Sequence, residues 1–290
     1  MTKQASPLDL RALPRPVAAV MSSGFFGFFA HAGFLQGLRD AGLTPGAYAG
    51  SSSGALVAAF AAGGMPPAEM LALFRQLRRA DFWDPPSPAD SLRWLLRGLR
   101  NRSGYLAGEA FERLLRQHLP FSRFEDCPHP CLMSALDLEQ ARRVILTSGD
   151  LPRAVRASGA VPALFAATPH EQGLLVDGGI IDKAPLAAAV ERLGAASLVV
   201  HLLPSASLER PVAAALAKGL APLRVQSRAV DAARFQFYQD QKAAVRAQGV
   251  TVVEVTANGL PRCGPRRMHQ GPAAYEAARK NTLARLAAAH

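Results

Sequence analysis

The stretch Ala47-Tyr48-Ala49-Gly50-Ser51-Ser52-Ser53-Gly54-Ala55-Leu56-Val57-Ala58-Ala59-Phe60 decides how this chain folds. Its first four residues form a short apolar run of the kind that makes a buried strand. Its middle is a tight turn of small residues, and its end is a small-residue helix stopping at Gly63-Gly64. Upstream, Val17–Met21 is another apolar run; it passes through Ser22-Ser23-Gly24-Phe25-Phe26-Gly27 into a helical pattern from about Phe28 to Asp40, closed by Ala41-Gly42. Two strand–turn–helix units in succession describe a βαβα arrangement, which requires a parallel sheet with helices against its faces.

Helical patterns follow at 69–79 and 108–119, separated by a different kind of segment, 81–107. There Pro85, Pro86 and Pro88 break the chain before a stretch, 92–100, with Arg93, Arg97 and Arg100 on one helical face and leucines on the other. Strands are expected at 131–136, 144–147, 173–176, 196–203 and 250–255, and helices at 151–158, 185–193, 208–248 and 273–289. With no internal repeat and no linker long enough to divide it, the chain reads as one three-layer α/β/α domain over 16–290 around a mostly parallel sheet. An N-terminal arm occupies 1–15, and 81–107 is a candidate mobile flap.

At 49% hydrophobic and 19% charged residues over 290 positions, with a mean hydropathy of +0.08, the chain buries a large core and is not a disordered polymer. The 33 Lys+Arg against 22 Asp+Glu leave a net charge of +11, which draws the protein towards anionic surfaces. Arginine supplies nearly all the positive charge, as a GC-rich coding bias alone would produce. No nucleic-acid motif accompanies the charge. The three cysteines, Cys127, Cys131 and Cys263, give no disulfide framework, so a reducing cytoplasm is the expected compartment. Cys127-Pro128-His129-Pro130-Cys131 has metal-ligand residue types but lacks the four ligands of a structural zinc site. No metal or other cofactor is expected. The uncharged run 16–38 is long enough to span a bilayer and follows basic residues, yet Ser22, Ser23, His31, Gln36 and its glycines favour the strand, turn and helix over a signal or anchor.

The chemistry-bearing residues sit at the turns. Gly50-Ser51-Ser52-Ser53-Gly54 fits G-x-S-x-G, which places Ser52 on a sharp strand-to-helix turn where glycines two positions away on either side keep the backbone clear. The helix that follows directs its N-terminal N–H groups at developing negative charge. In a βαβα unit the Ser22-Ser23-Gly24 loop opens on the same sheet edge, so its N–H groups are candidates for an oxyanion hole. Asp177, at a strand end and followed by Gly178 and Gly179, is the candidate base. None of the seven histidines follows a strand as a triad histidine should, and one strand before the elbow is too few for the ordinary α/β-hydrolase fold.

Taken together these segments resemble the patatin-like phospholipase family, part of the malonyl transacylase/lysophospholipase-like superfamily. The family pattern D-G-G-G-x-R/K-G, H-x-G, G-x-S-x-G and D-G-G/A is similar here to Met21–Gly27, His31-Ala32-Gly33, 50–54 and Asp177-Gly178-Gly179. The stretch 155–162 with Leu164-Phe165 also looks like the family's helix and turn before the aspartate strand, and the resemblance covers about residues 16–190. It implies a Ser52–Asp177 dyad without histidine, working through an acyl-enzyme on a lipid or acyl-ester substrate. Ser22 and Ser23 replace two loop glycines, and Phe26 stands where the family has a basic residue. Hydrolysis, acyl transfer to a non-water acceptor, and a catalytically silent lipid-binding role all remain open at this level. The 81–107 segment, with Trp83 and Trp94 beside its arginines, carries an expectation of peripheral contact with anionic membranes.

Overall fold

The protein is described here by a computed structural model covering residues 12–287, apart from 97, 99, 101, 206, 210 and 217–219. Residues 1–11 of the expected arm, and Arg97 and Leu99 of the 92–100 stretch, lie outside the described residues.

The chain opens β1 (Val17–Met21), α1 (Phe28–Asp40), β2 (Ala47–Ser51), α2 (Ser53–Ala62), α3 (Pro67–Gln76), α4 (Arg79–Phe82) and α5 (Pro88–Leu96). It continues β3 (Gly104–Leu106), α6 (Glu109–His118), β4 (Cys131–Asp137), β5 (Arg142–Leu146), α7 (Leu151–Ser158), β6 (Ala163–Phe165), β7 (Thr168–His170) and β8 (Gly173–Asp177). The last part holds α8 (Leu186–Leu193), β9 (Ser197–Leu202), α9 (Val212–Leu216), α10 (Ala221–Ala247), β10 (Thr251–Thr256) and α11 (Gly271–Ala287).

The main sheet has eight strands in the order β10-β9-β1-β2-β4-β8-β7, with β5 also paired to β4. From β10 to β4 every pairing is parallel; the β4–β8, β8–β7 and β4–β5 pairings are antiparallel. The period of two along each strand builds two cores. In β1, Val17, Ala19 and Met21 face a cluster shared with α1, α2, α7 and α11, whereas Ala18 and Val20 face one shared with α8 and α10. The three-layer α/β/α architecture read from the sequence is the one found. On the first face α1 and α11 approach so closely that a Cβ at Gly33 would run into the Tyr275 backbone.

The helices in 208–248 and 92–100 and three short strands differ from the sequence reading. The 208–248 region is broken into α9 and α10, because Leu220 turns left-handed (φ 60°, ψ 34°) and Pro222 fits only the first turn of a new helix. The 92–100 helix begins earlier, at Pro88, where Ser87 Oγ accepts the Asp90 N–H at 3.1 Å as its N-cap; it ends at Leu96, ahead of Gly98 at φ 64°. Strands β3 and β6, which pair in a small second sheet, and β7 are three residues each, too short to show a period of two. The 81–107 segment is also fastened at its base: the Asp84 carboxylate accepts the N–H groups of Gly108 and Ala110, each at 3.0 Å. Among the described residues no helix is long and apolar enough to cross a membrane.

Candidate active site

Ser52 lies between β2 and α2 at φ 54°, ψ −119°, a conformation that residues with a side chain rarely adopt. The flanking glycines permit it: a Cβ on Gly54 would strike the Met21 carbonyl, and one on Gly50 would strike the Gly54 backbone. The turn is held from outside as well. The Ser52 N–H donates to Ser158 Oγ at 3.0 Å, and that hydroxyl donates to the Ser134 carbonyl at 2.7 Å.

Strand β4 sets the distance between the two candidate catalytic groups. Ser51 pairs with Ser134 on one side of it and Asp177 pairs with Ala135 on the other, so the end of β2 and the end of β8 fall on adjacent rungs. Ser52 Oγ donates to Asp177 Oδ2 at 2.6 Å, and Asp177 Oδ1 accepts the Gly179 N–H at 2.6 Å. Gly178 packs against the Ser134 carbonyl where any side chain would collide. Burial pushes the Asp177 carboxyl up to about 6, opposed by the Ser52 and Gly179 hydrogen bonds and by the charge of Arg234.

The expected oxyanion loop needs correcting. Ser22 and Ser23 follow β1 directly, and their N–H groups are spent on the carbonyls of His201 (3.1 Å) and Lys183 (2.7 Å). Neither adopts a positive φ, so serine is unstrained there; Phe26, at φ 56°, is the loop residue with the left-handed backbone. Their hydroxyls instead fasten the loop, Ser22 Oγ accepting the Leu203 N–H at 2.8 Å and Ser23 Oγ accepting Arg234 Nη1 at 3.3 Å. The N–H of Gly24 has no protein acceptor among the described residues, and neither does that of Ser53, the first residue of α2. His31 supports the same loop from below. Its Nε2–H donates to the Ser22 carbonyl at 2.8 Å, so its Nδ1 accepts from His201 Nδ1–H, also at 2.8 Å. Burial drives His31 down to about 3 and His201 well below its ordinary range, so both rings are neutral.

Ser52 stands where two cavities meet. One is apolar and narrow, about 110 Å³, walled by Phe26, Phe28, Phe82, Trp83, Phe111 and Phe165. The other, about 890 Å³, contains Asp177, Lys183, Ser205, Asp231 and Arg234, with Arg262 and Arg267 at its rim. Trp83, expected at a membrane surface, lines the apolar cavity, with the Arg79 guanidinium 4.2 Å from its ring centre.

The sequence profile of the Patatin-like phospholipase family matches residues 19–190, more than half of the chain. The chain belongs to that family. Among relatives of this patatin-like chain, an uncharacterized NTE family protein of Mycobacterium bovis is 34% identical over 176 residues, 60% of this chain and 45% of the relative. An uncharacterized NTE family protein of Mycobacterium tuberculosis is 28% identical over 178 residues, 61% of this chain and 29% of the relative. The matched part of the patatin-like chain thus spans less than half the length of these relatives. VipD from Legionella pneumophila, a solved structure, shares the fold at a TM-score of 0.50 and 14% identity, over 94% of this chain and 67% of that one.

Within this patatin-like site, two contributions escaped the sequence reading; the Ser53 N–H did not, being the first of the N-terminal N–H groups of the helix that follows the G-x-S-x-G elbow. Ser158 lay within the 155–162 stretch already singled out, but nothing local marked its hydroxyl as the elbow's brace. Arg234 gave no signal: it sits mid-helix in α10 and reaches the Gly179 carbonyl, 55 residues away, at 2.6 Å.

Proposed function

We propose that the protein is a serine lipid acyl hydrolase of the phospholipase, lysophospholipase or esterase type, working through a Ser52–Asp177 dyad and an acyl-enzyme. What carries the reading is the 2.6 Å hydrogen bond from Ser52 Oγ to Asp177 Oδ2 on a strained elbow facing an apolar cavity. Asp177 takes the hydroxyl proton as Ser52 attacks the ester carbonyl. The N–H groups of Gly24 and Ser53 hold the oxyanion of the tetrahedral intermediate. The intermediate collapses to the acyl-enzyme as the alcohol leaves with the proton from Asp177, and water, deprotonated by the same carboxylate, completes the cycle. The apolar cavity suits the acyl chain and the polar one the alcohol moiety, whose breadth of about 890 Å³ gives water access to the acyl-enzyme.

Contact with an anionic membrane surface belongs to the same proposal. Helix α5 has no buried residue and exposes Leu92, Leu95 and Leu96 beside Arg93, a composition that supports lying at a headgroup layer. No nucleic acid enters this reading.

The test is covalent labelling by a fluorophosphonate together with hydrolysis of p-nitrophenyl esters. Wild type should label and turn over. Ser52→Ala should lose labelling entirely, and Ser52→Ala and Asp177→Asn should each lose about 10³-fold or more in kcat/KM. A protein inert to both probes, or one whose activity survives Ser52→Ala, would sink the proposal.

A further inference from the structure

The floor of the polar cavity holds more positive charge and more hydrogen-bond donors than the protein itself uses. Lys183 is 1% exposed, a state in which an ammonium is normally paired with a carboxylate. Here its Nζ has one hydrogen-bond partner among the described residues, the neutral Ser205 hydroxyl at 3.2 Å, and no ion pair. Arg234 approaches the same hydroxyl, with Nη2 at 3.4 Å. Its Nη1 is committed to Gly179 and Ser23 and its Nη2 pairs with Asp231, but its buried Nε–H has no acceptor.

The inventory of unused donors is specific. Lys183 retains two N–H groups, and the Ser205 hydroxyl accepts from Lys183 and from Arg234 Nη2 and has its own proton free; the Arg234 Nε–H is sealed from the cavity and is not among them. Against the two cations stand Asp231, paired with Arg234, and Asp177, which accepts from Ser52; Glu209 also lines the cavity but lies exposed. Burial and the neighbouring Arg234 charge hold the Lys183 ammonium down to about 7, against the pull of Asp231; an anion beside it favours the charged form, and Lys183 and Arg234 then outweigh Asp231 by one positive charge. Burying such an excess costs free energy unless an anion completes it. A phosphate, with oxygens pointing in several directions, matches an ammonium, a guanidinium edge and a hydroxyl better than a planar carboxylate does.

We propose that Lys183, Ser205 and Arg234 form a phosphate-binding subsite on the alcohol side of Ser52, so that the preferred ester carries a phosphate on its alcohol moiety. The assignment rests on the hydrolase reading above for its placement of acyl chain and alcohol. The subsite uses α10, from the part of the chain beyond the family match.

A matched pair of esters isolates the phosphate: 1-octanoylglycerol and 1-octanoylglycerol 3-phosphate share acyl chain and reacting bond. Wild type should prefer the phosphorylated ester, and Lys183→Met should lower the ratio of the two kcat/KM values by about 10- to 100-fold, the range for losing a charge-assisted hydrogen bond. Ser205→Ala, a milder change, should lower it less, in the same direction. Separately, calorimetry on the Ser52→Ala protein should detect glycerol 3-phosphate and not glycerol, with binding weakened by Lys183→Met. An equal loss on both esters would make Lys183 a fold support, and no preference in wild type would overturn the assignment. Binding of inorganic phosphate without any ester preference would make free phosphate the ligand and overturn its link to the substrate. If neither ester is cleaved but glycerol 3-phosphate still binds through Lys183, the hydrolase reading falls and the phosphate site stands.

Discussion

At φ 54° and ψ −119° the Ser52 backbone occupies a region open chiefly to glycine, so the hydroxyl is presented at the expense of local stability. Ser52→Ala keeps that cost; Ser52→Gly removes it, at the cost of greater freedom in the unfolded chain. Denaturant titration should therefore rank Ser52→Gly above Ser52→Ala by about 1 kcal/mol, and the reverse order would show an unstrained elbow. Asp177 makes a second prediction through its proton. Its carboxyl ionises near 6 in the folded protein and near the ordinary value of 3.8 when unfolded. The advantage it gives the folded state is complete below about pH 4 and disappears as pH rises through 6. The change is on the order of 3 kcal/mol. Asp177→Asn, which cannot ionise, should accordingly raise stability relative to wild type more at pH 8 than at pH 4.5. In wild type kcat/KM should climb with unit slope to a plateau above about pH 6; a profile flat from pH 4 to 8 would exclude Asp177 as the base.

Between elements, the question is which backbone groups remain unspent. Because Ser22 and Ser23 give their N–H groups to His201 and Lys183, restoring glycine at either position supplies no new oxyanion donor. Ser22→Gly should leave kcat no higher while lowering stability by about 1–2 kcal/mol, through lost backbone restraint and the lost contact with the Leu203 N–H. A faster enzyme would return the oxyanion hole to the serines. Helix α5 is tested by replacing Leu92 and Leu96 together with glutamate. Co-sedimentation with anionic vesicles should fall severalfold and become less salt-sensitive, with a larger loss on vesicle phospholipid than on a short soluble ester. Equal losses would make α5 a fold element. The hydrogen-bonded pair of Ser52 and Asp177 was readable in the chain because its two turns need glycines at fixed offsets, Gly50 and Gly54 around Ser52, and Gly178 and Gly179 after Asp177. Gly24 was legible among the loop donors, but that Ser22 and Ser23 are spent was not, because whether an N–H is free depends on what lies opposite it, and here that is β9 and the Lys183 turn, more than a hundred residues away. The start of α5 was likewise set by Ser87 and not by the leucine pattern that drew attention to 92–100.

Over the whole molecule, the family match at 19–190 stops short of the fold. Strand β9 flanks β1 with β10 beyond it, and α11 covers α1 through the contact at Gly33. A chain ending at residue 190 would leave β1 as an edge and expose that face, so it should be insoluble or molten by near-UV circular dichroism, whereas 12–287 should unfold cooperatively. Both catalytic candidates fall inside the matched span, yet Leu203, Ser205, Asp231, Arg234, Arg262 and Arg267, which wall the polar cavity, fall outside it. On the hydrolase reading proposed above, the reacting groups come from the matched span alone, whereas the alcohol side of the site draws on both parts of the chain, Lys183 from within the span and Ser205 and Arg234 from beyond it. If that reading holds, insertion, drift or exchange within 203–267 would retarget the site to a new alcohol without rebuilding its reaction.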